Sequence, residues 1–129
     1  MIDRQILLEK MKTSPYRPMR GEIIEARMLS DKEKLFRIEL EENIELQHQP
    51  GQFVMASIFG YAEAPISICS SPTDKGHFEL TVRNVGVFTD KLHTLGEGDV
   101  LGIRGPFGKG FPVDNMFGYD AVIVAGGLG

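Results

Sequence analysis

The sequence predicts a mainly β protein: a six-stranded antiparallel Greek-key barrel with one short helix, followed by the truncated first strand of an α/β nucleotide-binding domain. Three observations support this fold class. Apolar and polar residues alternate in several short segments, as they do in strands with one buried face. The 129 residues include 15 Gly and 7 Pro, which favours frequent turns. The segment nearest the end is instead a continuous apolar run, typical of a strand buried on both faces.

The chain divides into three parts on these patterns. Residues 1–18 are predicted to be an N-terminal extension, residues 19–114 the barrel, and residues 115–129 the truncated start of a second domain. Residues 3–12 can form a short amphipathic helix, which Pro15 and Pro18 end because proline lacks a backbone donor. This extension either docks on the domain or a partner subunit, or is a loosely packed tail.

Period-two alternation predicts the barrel strands in order along the chain. Closing such a sheet into a barrel removes its exposed edges. Turn-forming residues separate the strands, among them Pro50 and Gly51. The predicted strands are residues 21–28, 35–40, 53–58, 66–69, 78–83 and 100–104.

The two remaining elements have different periods. Phe88, Leu92 and Leu95 fall at i, i+4 and i+7, which predicts a helix that residues 96–99 end. The apolar run at residues 121–125 is typical of a parallel strand, which needs neighbours that this sequence does not contain. We therefore expect a truncated chain, whose last strand is either disordered or paired with another copy.

Composition excludes several classes of function. The net charge of −4 and the lack of a basic stripe argue against nucleic acid as a partner. The single cysteine, Cys69, allows no internal disulfide and no iron–sulfur or zinc site built from this chain's cysteines alone. No apolar run approaches the roughly 18 residues of a membrane span, and the N-terminus lacks a signal-peptide pattern. A cytoplasmic location is the default expectation.

Two glycine-containing segments are candidate phosphate sites. Gly126, Gly127 and Gly129 follow the apolar run, as in dinucleotide-binding loops, although a glycine-rich tail would look the same. Gly86, Val87, Phe88 and Thr89 lie where a strand passes into the helix. Their backbone N–H groups and the Thr89 hydroxyl can hold a phosphate, with Arg83 adding charge-assisted contacts. The alternative is an ordinary helix start beside a solvated arginine.

A third segment combines hydroxyl and apolar groups on one strand. Pro65, Ile66, Ser67 and Ile68 can contact a flat heteroaromatic ring lying across the barrel, although small hydroxyl residues near strand ends are common by chance. Cys69, expected to be a small packed residue, would lie near such a ring.

The sequence offers no other site. The histidines lack metal-ligand spacing and are expected at the surface or as capping residues, and the acidic residues 39–42 are expected to form a solvated strand end. No catalytic residue and no metal ligand are predicted. The histidines are His48, His77 and His93.

Taken in order, these motifs resemble the ferredoxin–NADP reductase superfamily over about residues 19–129. The similarity is greatest to the gamma subunits of cytoplasmic hydrogenase/sulfur reductase and to their counterpart in anaerobic sulfite reductase. The electron-transfer subunit of dihydroorotate dehydrogenase is slightly further away. The matching stretches are residues 50–54 (PGQFV), 64–68 (APISI), 82–89 (VRNVGVFT), 105–108 (GPFG) and 122–129 (VIVAGGLG).

The resemblance implies a barrel that binds FAD, followed by an NAD(P)-binding domain. It implies that Ser67 lies near the flavin N5 atom and that residues 86–89 contact the pyrophosphate. The sequence departs from the family pattern at Ala64, which replaces an arginine, and at Ile66, which replaces an aromatic residue. These departures leave FMN as an alternative cofactor and Arg83 as a compensating cation.

The implied function is electron transfer by an NAD(P)H-dependent flavoprotein subunit. The parent protein is expected to exchange hydride with NAD(P)H and to pass electrons singly to an iron–sulfur partner or catalytic redox subunit. A 2Fe–2S cluster is expected in a C-terminal part beyond this sequence, and the chain alone is expected to be inactive. The alternatives are the dihydroorotate dehydrogenase electron-transfer subunit and a cofactor-free barrel that acts as a binding module.

Overall fold

The fold was analysed in a computed structural model that describes residues 3–6, 14 and 16–128. Residues 4–6 are helical. The remainder of the amphipathic helix predicted for residues 3–12 lies outside the described residues.

The sheet contains the six predicted strands in the predicted order. They are β1 (Met19–Met28), β2 (Glu33–Leu40), β3 (Phe53–Ile58), β4 (Ala62–Ser67), β5 (Phe78–Arg83) and β6 (Val100–Phe107), with α1 (Val87–His93) between the last two. Short 3-10 helices span Glu41–Asn43 and Val113–Met116. The largest error in the predicted bounds concerns β4, which begins four residues before the predicted segment. Its first residues are mostly exposed, so no apolar alternation marks them.

All strand pairs are antiparallel, in the order β4-β3-β6-β1-β2-β5. The mainly antiparallel fold class is therefore confirmed, but the sheet does not close into the predicted barrel. The two end strands of this order, β4 and β5, meet at one isolated bridge between Ile68 and Leu80. Beside it, the Cys69 N–H donates to the Glu79 carbonyl at 3.0 Å. Away from the bridge, β4 and β5 separate and leave an opening in the barrel wall.

The core lies inside the sheet and fixes the position of α1. Phe36, Leu80 and Leu101 are fully buried there, and Leu92 of α1 packs against them with no exposed surface. Lys34 of β2 donates to the last carbonyl groups of the helix, at 2.9 Å to His93 and 2.8 Å to Leu95. Since α1 is held at both its apolar face and its C-terminal end, its first residues are fixed beside the opening between β4 and β5.

An ion-pair cluster ties the outer faces of three neighbouring strands together. Arg37 of β2 lies 2.7 Å from Glu25 of β1 and 3.2 Å from Glu79 of β5. All three side chains are partly shielded from solvent, so the pairs are less screened than free surface ions. The cluster fixes β5, one edge of the opening, to the rest of the sheet.

The apolar run near the C-terminus differs from the sequence prediction. Residues 121–125 form no strand, and Val122, Ile123 and Val124 are 88%, 89% and 92% exposed. A strand needs a hydrogen-bonded neighbour, and the described residues provide none for this segment. Among these same residues, no helix is long and apolar enough to cross a membrane.

Candidate functional site

The opening between β4 and β5 forms a groove of about 640 Å³. This volume lies within the range of about 300–1,000 Å³ that is usual for small-molecule sites. Strand β4 supplies one wall, β5 the other, and the loop that leads into α1 closes one end. The lining residues are Ala64, Pro65, Ile66, Ser67, Ile68, Cys69, Thr81, Val82, Arg83, Val85, Thr89 and Leu128. We call this feature the β4–β5 groove.

The β4 wall combines an apolar surface with one hydroxyl group. Ile66 and Ile68 are half-buried and pack against the core, so they present rigid apolar surface to the groove. Pro65 and Ser67 are exposed. Within the described part of the chain, the Ser67 hydroxyl has no hydrogen-bond partner, which leaves it available to a ligand. Such a wall suits a flat ring with a polar edge.

The β5 wall provides a single charge. Arg83, the last residue of β5, has a side chain that is 47% exposed, and its Nε lies 3.6 Å from the Glu33 carboxylate. At that distance the two groups form an ion pair but not a hydrogen bond. Two residues earlier on the same face, the Thr81 hydroxyl lies 3.3 Å from the Cys69 sulfur, which links the two walls next to the bridge. The cation therefore lies toward the α1 end of the groove, away from this contact.

The loop before α1 is shaped by Thr89. Its hydroxyl oxygen accepts from the backbone N–H groups of Val85 at 2.8 Å and Gly86 at 2.9 Å, and its own proton can go to the Gly86 carbonyl at 3.0 Å. Thr89 lines the groove, and the contact of its hydroxyl with a phosphate stays a prediction. The hydroxyl holds the loop in a fixed turn beside Arg83.

Gly86 is the residue of this loop that internal packing does not explain. Its φ of 178° is ordinary extended backbone, which any residue adopts. An added Cβ atom would meet no other group within 4 Å. Neither conformation nor crowding among the described residues requires glycine here, and Gly86 itself is not one of the residues that line the groove.

Several predicted site residues lie elsewhere. Val87 faces a separate surface groove that it shares with Tyr61, and Phe88 packs against the core. Gly126 and Gly127 are exposed in the segment without secondary structure, and Gly129 lies outside the described residues. The position of Phe88 agrees with its i, i+4 and i+7 spacing to Leu92 and Leu95, which puts all three on the apolar face of the helix.

The sequence analysis did not single out several of the lining residues. Thr81 could have been predicted as a lining residue, because side chains two residues apart on a strand lie on the same face and Arg83 was already a candidate. Cys69 was expected to lie near the ring and does line the groove, but it is exposed and not packed as expected. Val85 and Leu128 reach the groove through loops, for which the sequence has no periodic pattern.

The histidines and acidic residues of the described chain were also checked as metal ligands. Among the residues that the structure describes, no group of three or more His, Cys, Asp or Glu side chains could hold a metal ion. His48 is buried, not at the surface as expected, and its Nε2 lies 2.9 Å from the Ser70 carbonyl. His93 lies 2.8 Å from the Val82 carbonyl. Both rings act as structural hydrogen-bonding groups.

Comparison with known protein families identifies the family of the chain that contains the groove. Residues 20–111 match the oxidoreductase FAD-binding domain family. The chain belongs to this family. The matched residues include all six strands except the first residue of β1, together with every groove residue but Leu128. The family predicted from the motif order is thereby confirmed.

Relatives and solved structures agree with that assignment. The FAD-binding domain is 47% identical over 121 residues to the sulfhydrogenase 2 subunit gamma of Pyrococcus furiosus, covering 90% of this chain and 41% of that subunit. It is 44% identical over 81 residues to a probable dihydroorotate dehydrogenase B (NAD(+)) electron transfer subunit of Methanothermobacter thermautotrophicus, covering 63% of this chain and 29% of the relative. The chain thus spans less than half the length of these relatives.

The fold has a solved counterpart in the NADH-dependent reduced ferredoxin-NADP oxidoreductase. The TM-score is 0.65 at 26% identity, over 74% of this chain and 36% of that one. The groove's residues fit the cofactor that gives the family its name. Apolar surface at Ile66 and Ile68 suits the ring, the Ser67 hydroxyl suits its polar edge, and Arg83 suits a phosphate.

Proposed function

We propose that the β4–β5 groove binds the flavin of an NAD(P)H-dependent oxidoreductase subunit. The observation that carries the proposal is the groove itself: in a member of an FAD-binding family, the two end strands of the sheet separate where apolar surface, a free hydroxyl and a cation converge.

The chain's residues hold and orient the cofactor. Pro65, Ile66 and Ile68 support one face of the ring and exclude water from it. Ser67 offers its hydroxyl near N5. The fixed turn at residues 85–89 and Arg83 take the phosphate end. The bound flavin would supply the redox chemistry, accepting a hydride and releasing electrons singly. FAD is the cofactor that the family implies, with FMN as the alternative that Ala64 and Ile66 leave open.

The same proposal extends to the parent protein. Its relatives include a sulfhydrogenase gamma subunit and subunits named for electron transfer, which supports exchange of electrons with a redox partner subunit. NAD(P)H as the nucleotide, an iron–sulfur or other redox partner and a cytoplasmic location are further parts of the proposal. Residues 115–129 would begin its NAD(P)-binding domain, with Gly126, Gly127 and Gly129 in the nucleotide loop. A 2Fe–2S cluster would lie in a further part of the parent.

A second candidate is the electron-transfer subunit of a dihydroorotate dehydrogenase, which the 44% identity to such a subunit favours. It shares the groove and the cofactor and differs in the partner. Genes next to the parent gene distinguish the two: hydrogenase or sulfur-metabolism subunits support the first candidate, and pyrimidine-synthesis genes support the second.

The test of flavin binding is a visible absorption spectrum of the purified chain before and after FAD is added and excess is removed by desalting. Retained flavin bands, shifted from those of free FAD, support the proposal. A colourless protein that shows no heat of binding in calorimetric titration with FAD contradicts it and favours a cofactor-free binding module.

A further inference from the structure

A second groove, of about 350 Å³, lies where α1 meets the turn between β3 and β4. Its lining residues are Tyr61, Val87, Asp90, Lys91 and Thr94. Tyr61 belongs to the turn, and the other four fall at i, i+3, i+4 and i+7, which places them on one side of α1 and its C-cap. We call this feature the α1 side groove. Apart from Val87, none of its residues belongs to a motif recognised in the sequence.

The α1 side groove continues the β4–β5 groove on both of its walls. On one wall, Ala64 lines the β4–β5 groove, and Tyr61, three residues earlier in the chain, lines the side groove. On the other wall, Val85 and Thr89 line the β4–β5 groove, while Val87 between them lines the side groove. A ligand that leaves the β4–β5 groove across the turn at residues 85–89 therefore enters the side groove.

The residues of the side groove suit a nucleoside. The exposed ring of Tyr61 offers a face on which a flat base can stack, and the exposed side chain of Val87 adds apolar surface. The Asp90 carboxylate can accept hydrogen bonds from ribose hydroxyl groups. The Lys91 ammonium can donate to the ring nitrogens of a base. An aromatic face beside one acceptor and one donor matches a base attached to a sugar.

The polar groups of the side groove are available to a ligand. Within the part of the chain that the structure describes, the Tyr61 hydroxyl, the Asp90 carboxylate and the Lys91 ammonium form no hydrogen bond or ion pair. The Thr94 hydroxyl is instead engaged, because it donates to the Lys91 carbonyl at 2.6 Å. Leu92 fixes α1 in the core with no exposed surface, so the helix side of the groove is already in place before a ligand binds.

We infer that the α1 side groove holds the adenosine half of FAD, with the base stacked on Tyr61 and the ribose beside Asp90, and that it makes the domain select FAD over FMN. The inference rests on the proposed flavin-binding function, which places the ring at Ser67 and the phosphates at the turn before α1. It adds a second binding surface, formed by residues that do not touch the flavin ring.

The covalent structures of the two cofactors explain the selection. FMN ends at its single phosphate, whereas FAD continues through a second phosphate to a ribose and an adenine. Six residues separate Ser67 from Tyr61, or about 20 Å along an extended chain. That separation leaves room between the two rings for the ribityl chain and both phosphates. Of the two cofactors, FAD alone extends past the turn into the side groove.

The test compares the affinities for FAD and FMN. The full 129-residue chain is titrated calorimetrically with each cofactor, as wild type and as the Tyr61→Ala variant. Loss of stacking between the base and the aromatic ring should weaken FAD binding about five- to fiftyfold, while FMN binding changes less than about twofold. The Tyr61→Phe variant keeps the ring and should bind FAD within about threefold of wild type.

A second variant and a matched control complete the design. Asp90→Ala removes the acceptor on the helix side and should weaken FAD about two- to tenfold without changing FMN, which keeps the test valid if Tyr61→Ala is unstable. The control is Tyr119→Ala, because Tyr119 is also exposed but lines neither groove. It should leave both affinities unchanged. Thermal unfolding of each variant checks that it folds.

The outcomes separate this inference from the proposed function. Wild-type protein that binds FAD no more tightly than FMN overturns the adenosine site while flavin binding stands. Equal weakening of FAD and FMN by Tyr61→Ala, or unchanged FAD affinity in that variant, overturns it as well. A Tyr61→Phe variant as weak as Tyr61→Ala for FAD overturns the stacking. Wild-type protein that binds neither cofactor overturns both the inference and the proposed function.

Discussion

A methyl group added at Gly86 should weaken the affinity for the cofactor while leaving the free energy of unfolding nearly unchanged. The Gly86→Ala substitution places a Cβ atom where no protein atom lies within 4 Å, on a backbone whose φ of 178° alanine adopts freely. The substitution therefore meets no obstacle within the protein. If a flavin phosphate lies against Gly86, the new methyl group would come into contact with it.

The two expected magnitudes differ. For folding, the cost is that of alanine instead of glycine at a helix N-cap, at most about 1 kcal/mol. For binding, a methyl group forced into a close contact costs about 1–3 kcal/mol. The second figure corresponds to FAD affinity about five- to 150-fold weaker.

The assay pairs urea unfolding with calorimetric titration of FAD. The control is Gly96→Ala, because Gly96 also has no atom within 4 Å of an added Cβ but lies after α1, outside the loop at residues 85–89 that closes the groove. Both variants should unfold close to the wild-type midpoint, and only Gly86→Ala should lose affinity. Wild-type FAD affinity in Gly86→Ala would refute the placement of the cofactor against this loop.

Three further substitutions test other parts of the account. Ser67→Ala should weaken FAD and riboflavin equally, about two- to tenfold for one lost hydrogen bond, in the same titration, and an unchanged affinity would remove Ser67 from the site. Phe36→Ala should lower the free energy of unfolding by about 3–5 kcal/mol in urea, because the ring is fully buried, and a loss below about 1 kcal/mol would argue against its place in the core. Serine at the three exposed apolar positions of residues 122–124 should change that free energy by less than about 0.5 kcal/mol, whereas a clearly lower midpoint would mean that the segment packs on the barrel.

The sequence predicted most of the strands well because they bury one face. Phe78, Leu80 and Val82 are all buried, and the alternating residues between them are not, so period two is visible in β5 without knowledge of its neighbours. Strand β4 pairs with β3 alone, and its first residues are exposed, so the same rule missed its start. Whether a sheet closes depends on contacts between segments far apart in the sequence. The single bridge at Ile68 therefore could not be predicted from the alternation of apolar and polar residues along each strand.

The sequence predicted several of the residues that line the groove, but not how each side chain is used there. Ser67 and Arg83 were recognised because they belong to short motifs in a characteristic order, and both line the groove. Phe88 packs against the core, as its spacing to Leu92 and Leu95 predicts, so its inclusion among the cofactor-contacting residues rested on the motif alone. The internal use of the Thr89 hydroxyl depends on the turn that it stabilises, which no motif specifies.

The central claim is that flavin occupies the β4–β5 groove, and the chain's only cysteine reports on that groove directly. Cys69 is exposed and lines it, so alkylation of its thiol can be followed by mass spectrometry with and without FAD. If FAD binds there, the alkylation rate should fall by a factor of about 1 + [FAD]/Kd, roughly elevenfold at a free FAD concentration ten times Kd. An alkylation rate that stays constant while FAD is shown to bind would contradict the account, because the cofactor would then lie elsewhere.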